Sequence, residues 1–270
     1  MLSVSQLLAR AESARAKFQQ GSEANYIDEA IALDREALEL CTPRHPRRFA
    51  CLFQLANHLG ARYALLGGAE SLNETILLGR DALALCPPGH PDRSMSLNNL
   101  AVNLSTRYDL LGGVEDLSEA ILLGRDALAL RPPGHPDRSE SLNNLAVDLS
   151  TRYKLLGGGE DLSEAILLDR DALALCPPGH PDRSMSLNNL AVDLATRYKL
   201  LGGVEDLSEA ILLDRDALAL CPPGHPHRSS SLNNLAVGLS TRYKLLGGVE
   251  DLSEAILLVR EALEIGRAHV

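Results

Sequence analysis

An all-α fold, a solenoid of six helix-turn-helix repeats with twelve helices, is what this sequence predicts, and three observations predict it. His45, His90, His135, His180 and His225 recur every 45 residues, each followed by proline, and six such periods fill the 270 positions. Within a period the apolar residues return at helical spacing and do not alternate as in a strand. In the middle periods a Gly-Gly and a Pro-Pro pair interrupt the pattern at the same two places. Self-similarity at a fixed period is the mark of a repeat array. The chain therefore reads as one solenoid domain over 1–270, with repeats 1–45, 46–90, 91–135, 136–180, 181–225 and 226–270. The repeats 136–180 and 181–225 differ only at Glu140/Met185, Ser150/Ala195 and Gly159/Val204. Such near-identity points to recent duplication, so recurrence alone gives a residue no functional weight.

The repeat 91–135 shows the local logic. Its first helix (A) is expected to begin near Pro91 and Asp92, since proline suits a first helical turn and an acid there complements the dipole. Leu97, Leu100, Ala101, Leu104, Tyr108 and Leu111 fall on one face of that helix. Gly112 and Gly113 stop it, because glycine reaches the left-handed conformation a helix end often requires. The second helix (B) opens with Asp116 and Glu119 at the spacing of a reciprocal capping box. Leu117, Ala120, Ile121, Ala127 and Leu128 supply its buried stripe, and Pro132 and Pro133 end it. Helices of about 19 and 15 residues cannot bury their apolar faces alone, so neighbouring repeats must stack.

Composition narrows the function classes. Hydrophobic residues make up 45% of the chain and charged residues 23%, enough to form a substantial interior. Aromatics are scarce at 3%, with no tryptophan, which favours close helix packing over a sheet sandwich. A net charge of -10 argues against nucleic acid or an anionic membrane as partner, because both call for clustered Lys and Arg. There is no apolar run of spanning length. Met1 to Leu8 carries no basic residue of a signal peptide. Cys41, Cys86, Cys176 and Cys221 share one repeat position and Cys51 stands apart, which is no disulfide framework. A cytoplasmic location is expected.

In repeat 91–135, Leu100, Ala101 and Leu104 give a large-small-large signature on helix A, and Ala120, Ala127 and Pro132 follow on helix B. This pattern resembles the tetratricopeptide repeat, and the resemblance covers all six repeats. The usual repeat has about 34 residues. The extra ones fall as about two turns before Ala120, which lengthen helix A with little rotation of its buried face, and as a longer loop after Pro132. The stretch His90-Pro91-Asp92 through Leu97-Asn98-Asn99-Leu100-Ala101 is similar to the long repeats of kinesin light chains, which bind cargo peptides. Ala127-Leu128-Ala129-Leu130 through Pro132-Pro133-Gly134-His135-Pro136-Asp137-Arg138 to Leu142-Asn143-Asn144-Leu145-Ala146 looks most like fungal repeat arrays that precede caspase-like CHAT protease domains. No protease domain lies within these six repeats.

The two ends depart from the pattern. Repeat 1–45 has Arg10 where the others place the Leu100-type residue, as a polar starting cap would. The last residues, Glu264-Ile265-Gly266-Arg267-Ala268-His269-Val270, abandon the Pro-Pro-Gly-His ending and spell one translation of a common sequencing adapter. They are read as foreign, with the natural chain continuing past about residue 263. An uncapped last repeat would expose an apolar end open to end-to-end self-association.

The resemblance implies a right-handed superhelical ribbon whose concave side is lined by the A helices. It places Asn98, Asn99, Asn143, Asn144, Asn188, Asn189, Asn233 and Asn234 on or beside that side, with Gln54 at the corresponding place in the second repeat. Val102, Ser105 and Thr106 continue the face. An asparagine amide both donates and accepts, so such a ladder can pair with the backbone of an extended peptide. The competing reading is that one asparagine per repeat bonds to the neighbouring repeat and stiffens the stack. Positions varying between copies would tune specificity: Met95, Glu140, Met185 and Ser230, and Asn103, Asp148, Asp193 and Gly238.

The other motifs carry blander readings. Cys86-Pro-Pro-Gly-His90 offers two ligands where a structural zinc needs four, and reads as a turn. Arg80, Arg125, Arg170, Arg215 and Arg260 on the B helices read as solvated ion pairs. No catalytic constellation or phosphate-binding loop stands out. The expectation is a scaffold and not an enzyme, without cofactor or metal, that holds a peptide or protein segment. The alternative is the regulatory arm of a larger protein with a downstream CHAT domain.

Overall fold

A computed structural model describes residues 2–21 and 23–268, and the side chains of all of these except 267 and 268. Among the described residues there are twelve helices and no strand. They fall into two compact units, Met1–Pro133 and Gly134–Val270. The first holds α1 (Val4–Gly21), α2 (Ala24–Glu39), α3 (Arg48–Leu66), α4 (Ala69–Ala84), α5 (Arg93–Leu111) and α6 (Val114–Ala129). The second holds α7 (Arg138–Leu156), α8 (Gly159–Ala174), α9 (Arg183–Leu201), α10 (Val204–Ala219), α11 (Arg228–Leu246) and α12 (Val249–Ala268). Odd-numbered helices are the A helices and even-numbered ones the B helices. Within each unit every helix packs on the next in the chain, and α9 also touches α7 and α11. The segment read as foreign, 264–270, lies partly outside the described residues.

The buried sets repeat with the period. Leu72 and Ile76 of α4 pack with Leu100, Ala101 and Leu104 of α5 and Ala120 of α6. Leu162, Ile166, Leu190, Ala191, Leu194 and Ala210 form the same cluster two repeats on. Each cluster joins three successive helices, so no repeat closes its core without its neighbour. The small-residue positions, Ala120 and Ala127, are fully buried. Arg10, the exception among the Leu100-type residues, is exposed on α1.

Three local expectations are corrected. Helix A of the third repeat starts at Arg93 with Asp92 as its N-cap, so Pro91 lies before the helix and not in its first turn. The Asp116–Glu119 capping box does not form: Gly113 caps α6 and no side chain caps the helix. Asp116 is drawn away by Arg107, which donates to both carboxylate oxygens at 2.6 Å. A two-pronged charged pair is stronger than a neutral cap bond, and it recurs as Arg152–Asp161, Arg197–Asp206 and Arg242–Asp251. Finally, Leu111 is 60% exposed, because the last turn of α5 reaches the chain reversal and is left uncovered. That reversal depends on Gly112 and Gly113, whose φ angles of 73° and 107° lie where side chains are strained.

Candidate functional site: the face of the A helices

Residues of the A helices at i, i+3 and i+7 continue outward from the second asparagine of each pair: Asn144, Val147 and Thr151 on α7, Asn189, Val192 and Thr196 on α9. This face is left partly open, Val147 being 46% exposed. Between α7 and α9, with α8 behind them, lies a cleft of about 170 Å³ lined by Val147, Ser150, Thr151, Lys154, Asp169, Asn189, Val192 and Asp193.

The two asparagines of a pair have different surroundings. Asn98 and Asn143 are buried. Asn143 donates from Nδ2 to Ser186 Oγ at 3.1 Å, and Asn188 repeats this bond to Ser231. Both bonds run from one A helix to the next and tie successive repeats together. Asn233 is exposed. The second asparagines, Asn99, Asn144, Asn189 and Asn234, are half-buried at the face. Asn99 donates to Asn57 Oδ1 at 3.0 Å. Two repeats later the place of Asn57 is held by Val147, which offers no acceptor, and Asn189 borders the cleft. Gln54 is half-buried, with Oε1 enclosed and without a hydrogen-bond partner. Loss of the Asn188–Ser231 bond through Ser231→Ala is expected to cost about 1 kcal/mol of stability, read from urea unfolding.

The varying positions divide too. Met95, Glu140, Met185 and Ser230 are exposed near the starts of their helices. Asp148, Asp193 and Gly238 are buried behind the face. At Gly238 a Cβ would sit 2.9 Å from Ile211 Cγ1, so a side chain there requires Ile211 to shift.

Sequence reasoning missed the partners of these inner positions on the B helices. Asp169 of α8 has no exposed surface, and its neighbour is the carboxyl of Asp193. No donor reaches either oxygen of Asp169. Burial, then the charge of Asp193 and a hydrogen bond to it, push the Asp169 carboxyl up to about 8, so the pair holds a proton that Asp169 donates. Asp193 is also raised by burial, opposed by a hydrogen bond from Ser150 and by the charge of Lys154. Burial alone pushes Asp214 up to about 7. At the equivalent register of the first unit, Asp34 and His58, both without exposed surface, are joined at 2.5 Å. The available signal was that Asp34, Asp169 and Asp214 stand where Gly79, Gly124 and Val259 stand in other copies, a polar exchange on an otherwise apolar stripe.

The turn motif is structural. His90 Nδ1 accepts the backbone N–H of Asp92 at 3.2 Å and lies 3.5 Å from Cys86 Sγ. Among the described residues no group of three or more His, Cys, Asp or Glu is placed to hold a metal ion. Arg80, Arg170 and Arg215 each bond a glutamate of the next B helix, at 2.6–2.8 Å, near the surface. None of the described helices is long and apolar enough to cross a membrane.

No family model matches the sequence, and no curated protein does. Solved structures do match. The nearly identical TPR-like repeats of a candidate kinesin light chain from Podosopora anserina superpose with a TM-score of 0.57 at 22% identity, over 83% of this chain and 100% of that one. BtubC (BKLC) from P. vanneervenii gives 0.57 at 18% identity, over 99% and 91%. The assembly chaperone Acl4 gives 0.57 at 17% identity, over 99% and 98%. The chain has the fold of the tetratricopeptide-like helical repeat proteins.

Proposed function

We propose that the chain is a protein-interaction scaffold that holds an extended peptide or protein segment against the face of its A helices. The observation that carries this reading is the cleft between α7 and α9, where Asn189, Thr151 and Lys154 stand beside Val147 and Val192. Polar groups that can pair with a peptide backbone beside apolar surface are what an extended ligand needs. The first asparagines Asn143 and Asn188 serve the stack, and the second ones, Asn144, Asn189 and Asn234 among them, serve the ligand. One structure of the same fold is an assembly chaperone of RpL4, in keeping with a protein-holding role. A double replacement of Asn144 and Asn189 by alanine is expected to weaken capture of peptides about tenfold or more, at unchanged helicity by circular dichroism. Unaltered affinity in that variant would refute the assignment.

The face of α12 suggests a further partner. Ile256 is 44% exposed and Leu263 57%, whereas Ile211, the counterpart of Ile256, is 1% exposed under its neighbour. End-to-end self-association through this face would bury such a stripe. Sedimentation should show a concentration-dependent dimer that Ile256→Glu abolishes; a monomer at all concentrations would rule it out.

A further inference from the structure

Asp34 and Asp169 occupy the same place on their B helices, three repeats apart, and His58 and Asp193 the same place on the following A helices. In the first unit the protein supplies its own donor: His58 meets the buried carboxyl of Asp34 at 2.5 Å. In the second unit a carboxyl stands where that imidazole would be, and both oxygens of the fully buried Asp169 lack a donor. A buried acid pair of this kind ionises only at a cost, unless a counter-charge comes beside it. One register thus pairs a buried acid with an imidazole in the first unit and with a second acid in the second.

The cleft shows where a cation would enter. The two carboxyls and Ser150 lie at its base, Asn189 and Thr151 on its walls, and the half-exposed Val147 near its mouth beside Val192. Apolar walls above a charged base suit a side chain with a methylene stem and a cationic tip. Lys154 also lines the cleft and its charge acts on Asp193, yet it reaches neither oxygen of Asp169. Only two of the lining groups are carboxyls, and among the described residues no group of three or more His, Cys, Asp or Glu is placed to hold a metal ion.

From this geometry we infer that the α7–α8–α9 cleft is a specificity pocket for one lysine or arginine side chain of the bound segment, its cationic head seated between Asp169 and Asp193. The inference rests on the proposed peptide-holding function and names the side chain it selects. Seating the head displaces the proton the pair holds: the carboxyl O–H bond of Asp169 breaks, its proton passes to buffer, and a charge-assisted hydrogen bond from the ligand nitrogen takes its place. Peptides that occupy the pocket are therefore bound with release of up to one proton near pH 6.5.

The test is selection of a random peptide library on the full chain and on Asp169→Asn. Each selected peptide is then resynthesised with its basic residue replaced by norleucine. Selection on the wild-type chain is expected to fix one Lys or Arg. The norleucine exchange and Asp169→Asn should each weaken binding about tenfold or more. Calorimetry in two buffers of different ionisation enthalpy should show proton release for the wild-type complex, a readout independent of the variant's folding. Peptides that bind without a fixed basic residue, or that bind Asp169→Asn equally and release no proton, overturn the pocket and leave the groove standing. Failure to select any peptide overturns both.

Discussion

Replacing His58 by alanine is expected to cost about 3 kcal/mol of stability, among the largest losses a single substitution in this chain should cause. His58 and Asp34 have no exposed surface and meet at 2.5 Å. Removing the imidazole leaves the Asp34 carboxyl enclosed with no donor and opens a cavity between α2 and α3. Burial already raises the Asp34 carboxyl above its usual range, a tendency opposed chiefly by the hydrogen bond to His58. Without that bond the group is neutral or strained. Glu12, 3.7 Å from His58 Nε2, is more than half exposed and cannot replace the partner. Urea unfolding of the variant measures the loss through a lower midpoint at constant slope. A loss below about 1 kcal/mol would mean that the pair is peripheral to the packing of α2 on α3.

The second large effect is a stability that falls as pH rises. The Asp169 carboxyl is pushed up to about 8 and that of Asp214 to about 7, both by burial, against an ordinary value of 3.8. Between the unfolded and folded values the native state binds protons that the unfolded chain has released. The stabilisation is therefore full below about 4 and is lost as pH climbs toward 8. The surface carboxylates act with the opposite sign. Hydrogen bonds from Arg107, Arg197 and Arg242 hold Asp116, Asp206 and Asp251 below the usual range, so their contribution is present above 3.8 and is lost as acid protonates them. The two trends place greatest stability on the acid side of neutrality, near pH 5. Asp169→Asn keeps the shape without the charge. It is expected to raise stability at pH 8 by on the order of 2 kcal/mol and to flatten the decline between pH 5 and 8. Thermal melts across that range check both; a melting temperature that rises steadily from pH 5 to 8 would show the carboxyl pair to be solvated.

These buried acids mark the limit of what the sequence made legible. The period, the helix pairs and the apolar face of each helix could be read directly, because Leu100, Ala101 and Leu104 must be covered and only a neighbouring repeat can cover them. Helix starts were less legible: Asp116 has the spacing of a cap and an arginine within reach across the turn, and sequence spacing cannot rank the two. The asparagine pairs fall on the A helices, and the sequence does not separate their two members. Which of Asn143 and Asn144 turns toward the next repeat depends on a rotation of 100° about the helix axis, a distinction set by how α7 meets α9. The Asp169–Asp193 pair was least legible, since it joins two residues 24 apart that the sequence presents as isolated acids among many. Only the recurrence of the same register as Asp34 with His58 ties them together.

The proposed seat of ligands on the A helices is open to hydrogen–deuterium exchange of the chain with and without a selected peptide. Bound peptide is expected to slow exchange in α7 and α9 around Asn144–Thr151 and Asn189–Thr196, and to leave α8 and α10 unchanged beyond their contacts with those helices. Protection confined to the B helices, with α7 and α9 unaffected, would contradict it.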